Sequence, residues 1–245
     1  MSDKWKSAIK NDGYYVGNVY ELFDDISFFD ECIEGINSAL GNKEFHGYRS
    51  TIVNRPDLKM QIPCTEIENR KNTVEREDLL VYQQWHEITG WVGDQKNGNL
   101  HKGIKKFIQV AYPTTSENNL GFYDSWSLYE NDDFIQLHTD GDNIGRLCVF
   151  LIYLSPAETY NNGGGRLIVQ DKKNKIRIVD PVRENFVVLD FSKTNLSHAV
   201  EVVKNDFKRY SFISFIYDNA LVYRHNRLAK LKEVHKKLKN IEEDQ

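Results

Sequence analysis

Only three cysteines occur in the 245 residues, Cys32, Cys64 and Cys148. An odd number with no CxxC pair excludes a disulfide framework and fits reduced, buried thiols. No apolar run approaches the roughly 20 residues that a membrane span requires. The first residues, Met1 to Lys6, lack the apolar stretch of a secretory leader, so a cytoplasmic location is the expectation. A formal net charge of −4 gives no global attraction to nucleic acid or to an anionic membrane. Neither an internal repeat nor a low-complexity tract is visible. Gly163 to Gly165 is not followed by the Lys-Ser/Thr of a phosphate loop, and a hairpin turn accounts for these glycines.

What the chain does have is core-forming material, with 40% hydrophobic and 12% aromatic residues. One structural domain is expected, in three parts. Residues 1–100 form a helical and extended segment packed on a core over 101–220, and 221–245 form a basic amphipathic helix. Ser27 is placed to cap a helix whose stripe is Phe29, Ile33, Ile36 and Leu40, ending at Gly41. Asn72 with Glu75 resembles a cap for a second helix carrying Val81, Trp85, Ile88 and Val92 before Gly93. Between the two, Glu44 to Ile67 reads as extended. Ile104 to Tyr112 is expected as a strand, as are Arg146 to Leu154, Arg166 to Val169 and Phe186 to Phe191. Phe207 to Tyr217 alternates as one more, with Phe207, Arg209, Ser211, Ile213, Phe215 and Tyr217 on one face. From Asn226 onward, Leu228, Leu231, Val234, Leu238 and Ile241 edge a lysine-rich helix. That helix either packs on the core with solvated lysines or serves as a homodimer contact.

Chemistry concentrates in four residues. His138 and Asp140 stand at i and i+2, at the start of an extended stretch, so an imidazole and a carboxylate point the same way. His198 comes from a distant strand. Two neutral imidazoles and a carboxylate are the ligand set of non-haem Fe(II) oxygenases, with open positions opposite. Arg209 lies in an otherwise apolar row, and a buried guanidinium needs an anion; its alternatives are an internal acid such as Asp190 or a substrate carboxylate. Ser211, on the same face, adds a donor, and Tyr153 completes the clamp. His46, His86, His101, His225 and His235 show no ligand spacing and read as structural or exposed. Cys148 has no activating base nearby. Phe122, Tyr123 and Trp126 are placed near the predicted mouth.

From Trp126 to Tyr217 the chain resembles the Fe(II)/2-oxoglutarate-dependent dioxygenases, in their prolyl 4-hydroxylase-like branch. The resemblance rests on Tyr129, His138-Thr139-Asp140, Gly145-Arg146, Tyr153-Leu154, Gly163-Gly164-Gly165-Arg166-Leu167, His198 and Arg209-Tyr210-Ser211. It implies an α+β fold with a double-stranded β-helix (jelly-roll) core, supporting N-terminal helices and a C-terminal helix. It also implies iron on His138, Asp140 and His198, the far carboxylate of 2-oxoglutarate on Arg209 and Tyr153, and Tyr129 near the C1 carboxylate or keto end. O2 is the co-substrate, ascorbate a stimulant, and succinate and CO2 the co-products of hydroxylating an unactivated C–H. Asp140 favours hydroxylation over halogenation, since related halogenases carry a small residue there. Ser214-Phe215-Ile216-Tyr217 departs from the Trp-Phe or Trp-Tyr pair of many prolyl hydroxylases. The substrate is thus open between a peptidyl proline, another peptide or protein residue, a free amino acid and a small metabolite. A metal-dependent hydrolase and a non-catalytic binding module on the same barrel are the rival readings.

Overall fold

Residues Arg146 to Tyr153 are almost uniformly apolar because both faces of the strand they form are buried. Cys148, Phe150 and Ile152 face one core, and Val149, Leu151 and Tyr153 face another. The computed structural model describes residues 2–53, 80–88, 94–140, 144–171, 173–192 and 196–229. Their elements, in chain order, are α1 (Ser2–Asp12), β1 (Tyr14–Asn18), α2 (Phe28–Ala39), β2 (His46–Val53), β3 (Leu80–Ile88), α3 (Asp94–Ala111), β4 (Leu120–Tyr129) and β5 (Phe134–His138). There follow β6 (Arg146–Tyr153), β7 (Leu167–Gln170), β8 (Ile176–Val179), β9 (Asn185–Asp190), β10 (His198–Val200) and β11 (Arg209–Asp218), and residues 219–229 are helical.

The strands pair antiparallel in the order β1-β9-β6-β11-β4-β3-β5-β10-β7-β8, with β2 on the free side of β3. Strand β3 joins the two halves, pairing Ile88 with Trp126 of β4 at one end and Gln84 with Phe134 of β5 at the other. The ladder therefore folds back on itself as a double-stranded β-helix. Its interior holds Val149, Leu151, Val187 and Leu189 from one sheet and Leu167, Val169 and Val200 from the other.

The second core lies between the larger sheet and the helices. Trp5 of α1 stacks on Phe107 of α3 with centroids 4.8 Å apart, and Phe107 meets Phe150 edge-on at 5.2 Å. Phe29, Cys32 and Ile36 of α2 are fully buried in the same cluster.

Several expectations are corrected here. The segment Ile104 to Tyr112 is the end of helix α3, whose buried Leu100, Ile104, Phe107, Ile108 and Ala111 recur at helical spacing. The division after residue 100 falls inside that helix, so the N-terminal segment and the barrel share an element. Val81, Trp85 and Ile88 lie on strand β3, not on a helix; Asn72, Glu75 and Val92 fall outside the described residues. Of the extended segment from Glu44, His46–Val53 is a strand and the remainder lies outside the described residues. Ser27 makes no capping bond to α2; its hydroxyl donates to Asp25 at 2.7 Å. The C-terminal helix begins at 219, ahead of Asn226, and 230–245 fall outside the described residues. No described helix is long and apolar enough to cross a membrane.

The glycine run does what a turn demands. Gly164 and Gly165 have φ of +65° and +66°, and a Cβ on Gly164 would overlap the Val202 carbonyl oxygen. A Cβ on Gly165 would stand 3.1 Å from Arg209 Cδ, so this turn roofs the arginine closely. Phe107→Ala is expected to cost about 3–5 kcal/mol in chemical denaturation, as for other large-to-small changes in a packed core, against less than about 0.5 kcal/mol for Lys102→Ala on the exposed face of the same helix.

Candidate active site

His138 closes β5 instead of opening a strand, and Asp140 follows two residues on. His138 is the register partner of His198 across the β5–β10 ladder, which brings the two rings to 4.3 Å between centroids. Asp140 reaches both: its Oδ1 lies 3.4 Å from His138 Nε2 and its Oδ2 lies 3.6 Å from His198 Nε2. One donor atom from each of the three falls within 4.8 Å of the others. The other nitrogen of each ring is engaged with the backbone, His138 Nδ1 with the Gln136 oxygen at 2.9 Å and His198 Nδ1 with the Leu196 oxygen at 3.2 Å. A carbonyl only accepts, so each Nδ1 carries the proton and each Nε2 presents its lone pair inward.

The electrostatics favour the same state. Burial and the neighbouring His138, against the opposing Asp140, bring the His198 imidazole down to about 4. Burial pushes the Asp140 carboxyl upward. Its contacts with His138, His198 and Arg146 outweigh it and hold the group below the usual carboxylate range. Neutral imidazoles beside an ionised carboxylate are the donor set a divalent first-row cation takes.

Deeper in the barrel sits Arg209, fully buried. Register places it beside Tyr129 of β4, and Ser211 of the same strand between Ser127 and Tyr153. Its guanidinium carbon lies 4.6 Å from the Tyr129 ring centre and 5.1 Å from that of Tyr153. Nη1 donates to Ser211 Oγ at 3.1 Å, and Ser211 shares a 2.7 Å bond with Ser127 Oγ. Among the described residues Nε and Nη2 have no acceptor, and the Tyr153 hydroxyl beside them meets no partner of good geometry. Asp190, the alternative internal partner, accepts instead from the Tyr112 hydroxyl at 3.0 Å and from Ser192. Burial raises the Tyr153 and Tyr129 hydroxyls above the ordinary tyrosine range, so both stay protonated as donors. Unsatisfied buried N–H and O–H groups around one cation cost several kcal/mol unless an anion meets them, and a carboxylate presents the matching pair of acceptors.

Residues 125–217 match the family model of the 2OG-Fe(II) oxygenase superfamily. That stretch, which carries the tripod and the arginine, is a 2OG-Fe(II) oxygenase domain. The oxygenase is also similar in fold to a prolyl hydroxylase from Trichoplax adhaerens solved with a hypoxia-inducible-factor peptide, with 16% identity, TM-score 0.60 and coverage of 90% of this chain and 91% of that one. A prolyl-4-hydroxylase from Pseudomonas putida superposes with 15% identity and TM-score 0.57 over 89% of this chain and 99% of its own. The non-heme alpha ketoglutarate dependent epimerase SnoN does so with 10% identity and TM-score 0.60, over 89% and 80%. At these identities the likeness is one of fold. No curated protein matches the oxygenase. Membership implies Fe(II) and 2-oxoglutarate, and the residues present fit both groups.

All seven residues singled out in the sequence line one barrel: His138, Asp140 and His198 together, and Arg209, Ser211, Tyr153 and Tyr129 together. Tyr129, expected toward the C1 or keto end, lies with its ring against the guanidinium. Trp126 and Phe122 turn away from the barrel interior, Trp126 onto Phe212 at 4.8 Å and Phe122 onto His101 at 4.2 Å. Only Tyr123 of that trio stands on the inner face, 55% exposed against Phe215. His46 and His86 bond to each other at 2.9 Å and His101 bonds to Asp124 at 2.7 Å, outside the tripod, while His235 lies outside the described residues.

Two residues were missed. Gln136 is buried with its side-chain oxygen unpartnered among the described residues, and its backbone oxygen holds His138 Nδ1; its place two residues before the histidine was the available signal. Trp85 stacks on Tyr129 at 5.8 Å, and the helical reading of its segment concealed it. His138→Ala and Asp140→Ala are expected to lose bound iron in metal analysis of protein prepared without oxygen. Arg209→Ala should keep its iron and require at least tenfold more 2-oxoglutarate; equal iron loss in all three would contradict this division of roles.

Proposed function

We propose that this oxygenase hydroxylates an unactivated C–H bond, with a peptidyl proline as the favoured substrate. The single observation behind the cofactor assignment is the pair of Arg209 nitrogens, Nε and Nη2, and the Tyr153 hydroxyl, without partners among the described residues and buried in the barrel that also holds two inward Nε2 atoms and a carboxylate. Fe(II) held by His138, Asp140 and His198, together with 2-oxoglutarate and O2, supplies the oxidising power, with succinate and CO2 as co-products; ascorbate is assigned the role of a stimulant.

The protein's own part is positioning. Arg209 and Tyr153 fix the remote carboxylate of the diacid, Ser211 holds the guanidinium, and Tyr129 with Trp85 walls it. The Nδ1–carbonyl bonds fix the ring planes before any cation arrives, which lowers the ordering cost of binding. The peptidyl proline comes from the prolyl hydroxylases among the similar folds, and a free amino acid or small acid is the alternative. A metal-dependent hydrolase has no use for a buried guanidinium aimed at a diacid, and a binding module has none for three ligands locked in one tautomer. A cytoplasmic location is part of the proposal, supported by Cys32 and Cys148, both buried and neither in a disulfide. So is a homodimer contact through the C-terminal helix, whose described turns expose Leu221, Tyr223 and Leu228.

Ferrous protein mixed with 2-oxoglutarate in the absence of oxygen is expected to develop a metal-to-ligand charge-transfer band. Admitting O2 should then release succinate, faster with a proline-containing peptide than without, and leave one added oxygen on the peptide by mass spectrometry. Absence of the band would sink the cofactor assignment, and a band with peptide-independent succinate release would sink the peptide.

A further inference from the structure

His46, at the start of β2, and His86, on β3, form a relay whose protons all point one way. His46 Nδ1 accepts from the Gly41 backbone N–H at 2.9 Å, so this ring carries its proton on Nε2. That Nε2 faces His86 Nδ1 at 2.9 Å, with the ring planes 22° apart. His86 Nδ1 is thereby the acceptor, which leaves the His86 proton on Nε2, 3.4 Å from Glu130 Oε2. Glu130 Oε1 meets Lys208 Nζ at 3.0 Å. Among the described residues, the charged and titratable groups that face the pair are these two, Asp133 from the turn between β4 and β5, and Tyr48. The Tyr48 ring lies 4.8 Å from that of His86, and its hydroxyl donates to Asp133 at 2.8 Å.

A relay with one hydrogen in each gap has no room for another. A proton on His46 Nδ1 would stand against the Gly41 N–H, and one on His86 Nδ1 against the His46 Nε2–H, so protonation of either ring breaks a link. Burial and the neighbouring His86 hold the His46 imidazole below its ordinary value. The neutral relay is therefore intact at neutral pH and is lost as pH falls below about 6.5.

The relay flanks the strands whose inner face forms the clamp. His86, Glu130 and Lys208 are the immediate sequence neighbours of Trp85, Tyr129 and Arg209, and successive residues of a strand point to opposite faces. Backbone pairing gives Trp85 little hold. Strand β3 pairs with β4 from His86 to Ile88 and with β5 at Gln83 and Gln84, so Trp85 sits at the crossover, with a ladder partner among the described residues only on β2. Trp85 in turn stacks on Tyr129, whose ring lies against the Arg209 guanidinium. The side chains that run from β2 through His86 to Glu130 and Lys208 fix the point that the ladder leaves loose.

We propose that His46 and His86 are positioning residues for the cosubstrate clamp, and that proton uptake by their relay in mild acid weakens 2-oxoglutarate binding. This inference rests on the oxygenase reading and adds a regulation of its clamp.

Metal-free protein, isotopically labelled at its histidine and tryptophan nitrogens, is expected by NMR at about pH 7.5 to carry both protons on Nε2. On acidification the two rings should titrate together, and the Trp85 indole resonance should move with the same midpoint. Fe(II)-loaded protein kept free of oxygen is then titrated calorimetrically with 2-oxoglutarate, and its affinity should fall at least about fivefold between about pH 7.5 and about pH 5.5. His86→Phe should bind weakly at both values. His86→Asn offers His46 Nε2 an acceptor that takes no proton, and should keep most of the neutral-pH affinity at both. A role confined to stability would lower the unfolding midpoint of the variants and leave the ratio between the two pH values standing in them. That ratio retained in both variants, an Nδ1–H tautomer on either ring, or a Trp85 resonance unmoved through the titration overturns the inference. Should a variant fail to fold, the wild-type spectra and titration carry the test. The charge-transfer band recorded at neutral pH on the same samples keeps the two readings apart: without it the oxygenase assignment has failed, and with it and a pH-independent affinity only the relay's role has.

Discussion

A fully buried guanidinium with two nitrogens unsatisfied among the described residues is the constraint around which the barrel is arranged. Arg209 is an expensive residue to place in a sheet interior, and the surroundings limit the cost without removing it. Tyr129 and Tyr153 stack against its faces, Ser211 takes one bond, and Gly165 passes where no larger residue fits. Each of these choices keeps the cation in place and leaves its outer edge bare. A protein that needed only stability would have placed an apolar residue there. The site is therefore organised for an anion before that anion arrives.

The metal-binding face follows a similar logic by different means. His138 and His198 are register partners on adjacent antiparallel strands, so their approach is a property of the ladder and not of a flexible loop. Backbone carbonyls two residues upstream of each histidine fix both tautomers. Asp140, just past the end of β5, is steadied by Arg146 through its backbone oxygen. The tripod and the clamp thus stand on separate halves of the fold, on β5 and β10 and on β4, β6 and β11. Strand β3, paired with both halves, connects them.

The site was legible in the sequence because its residues violate the patterns around them. An arginine within Phe207, Ser211, Ile213 and Phe215 is an anomaly in an apolar row, and His138 and Asp140 at i and i+2 share a direction. The strands β6, β9 and β11 were legible through their length and β-branched, aromatic content. Helix α3 was not, because a window opening at Ile104 omits Leu100 and shows Ile104-Lys-Lys-Phe-Ile-Gln-Val-Ala-Tyr as a near-continuous strand-like run. Val81, Trp85 and Ile88 fit the helical period but lie on β3, where they are laid against β2, β4 and β5. Short segments with both periods are decided by their neighbours in space. Strand β1 and helix α1 were not anticipated at all. Tyr14 to Asn18 gains its strand character from pairing with β9, and α1 from covering Phe107.

The alternation along β11 separates two kinds of change. Arg209, Ser211, Ile213, Phe215 and Tyr217 face the barrel, while Tyr210, Phe212 and Ile216 lie under the helices. A lineage could exchange the inward set toward the mouth, at Ile213, Phe215 and Tyr217, and reshape what the cavity admits without touching the side chains that hold sheet to helices. One strand thus lets chemical selectivity drift while the scaffold stays fixed, which is how a single architecture comes to serve unlike molecules.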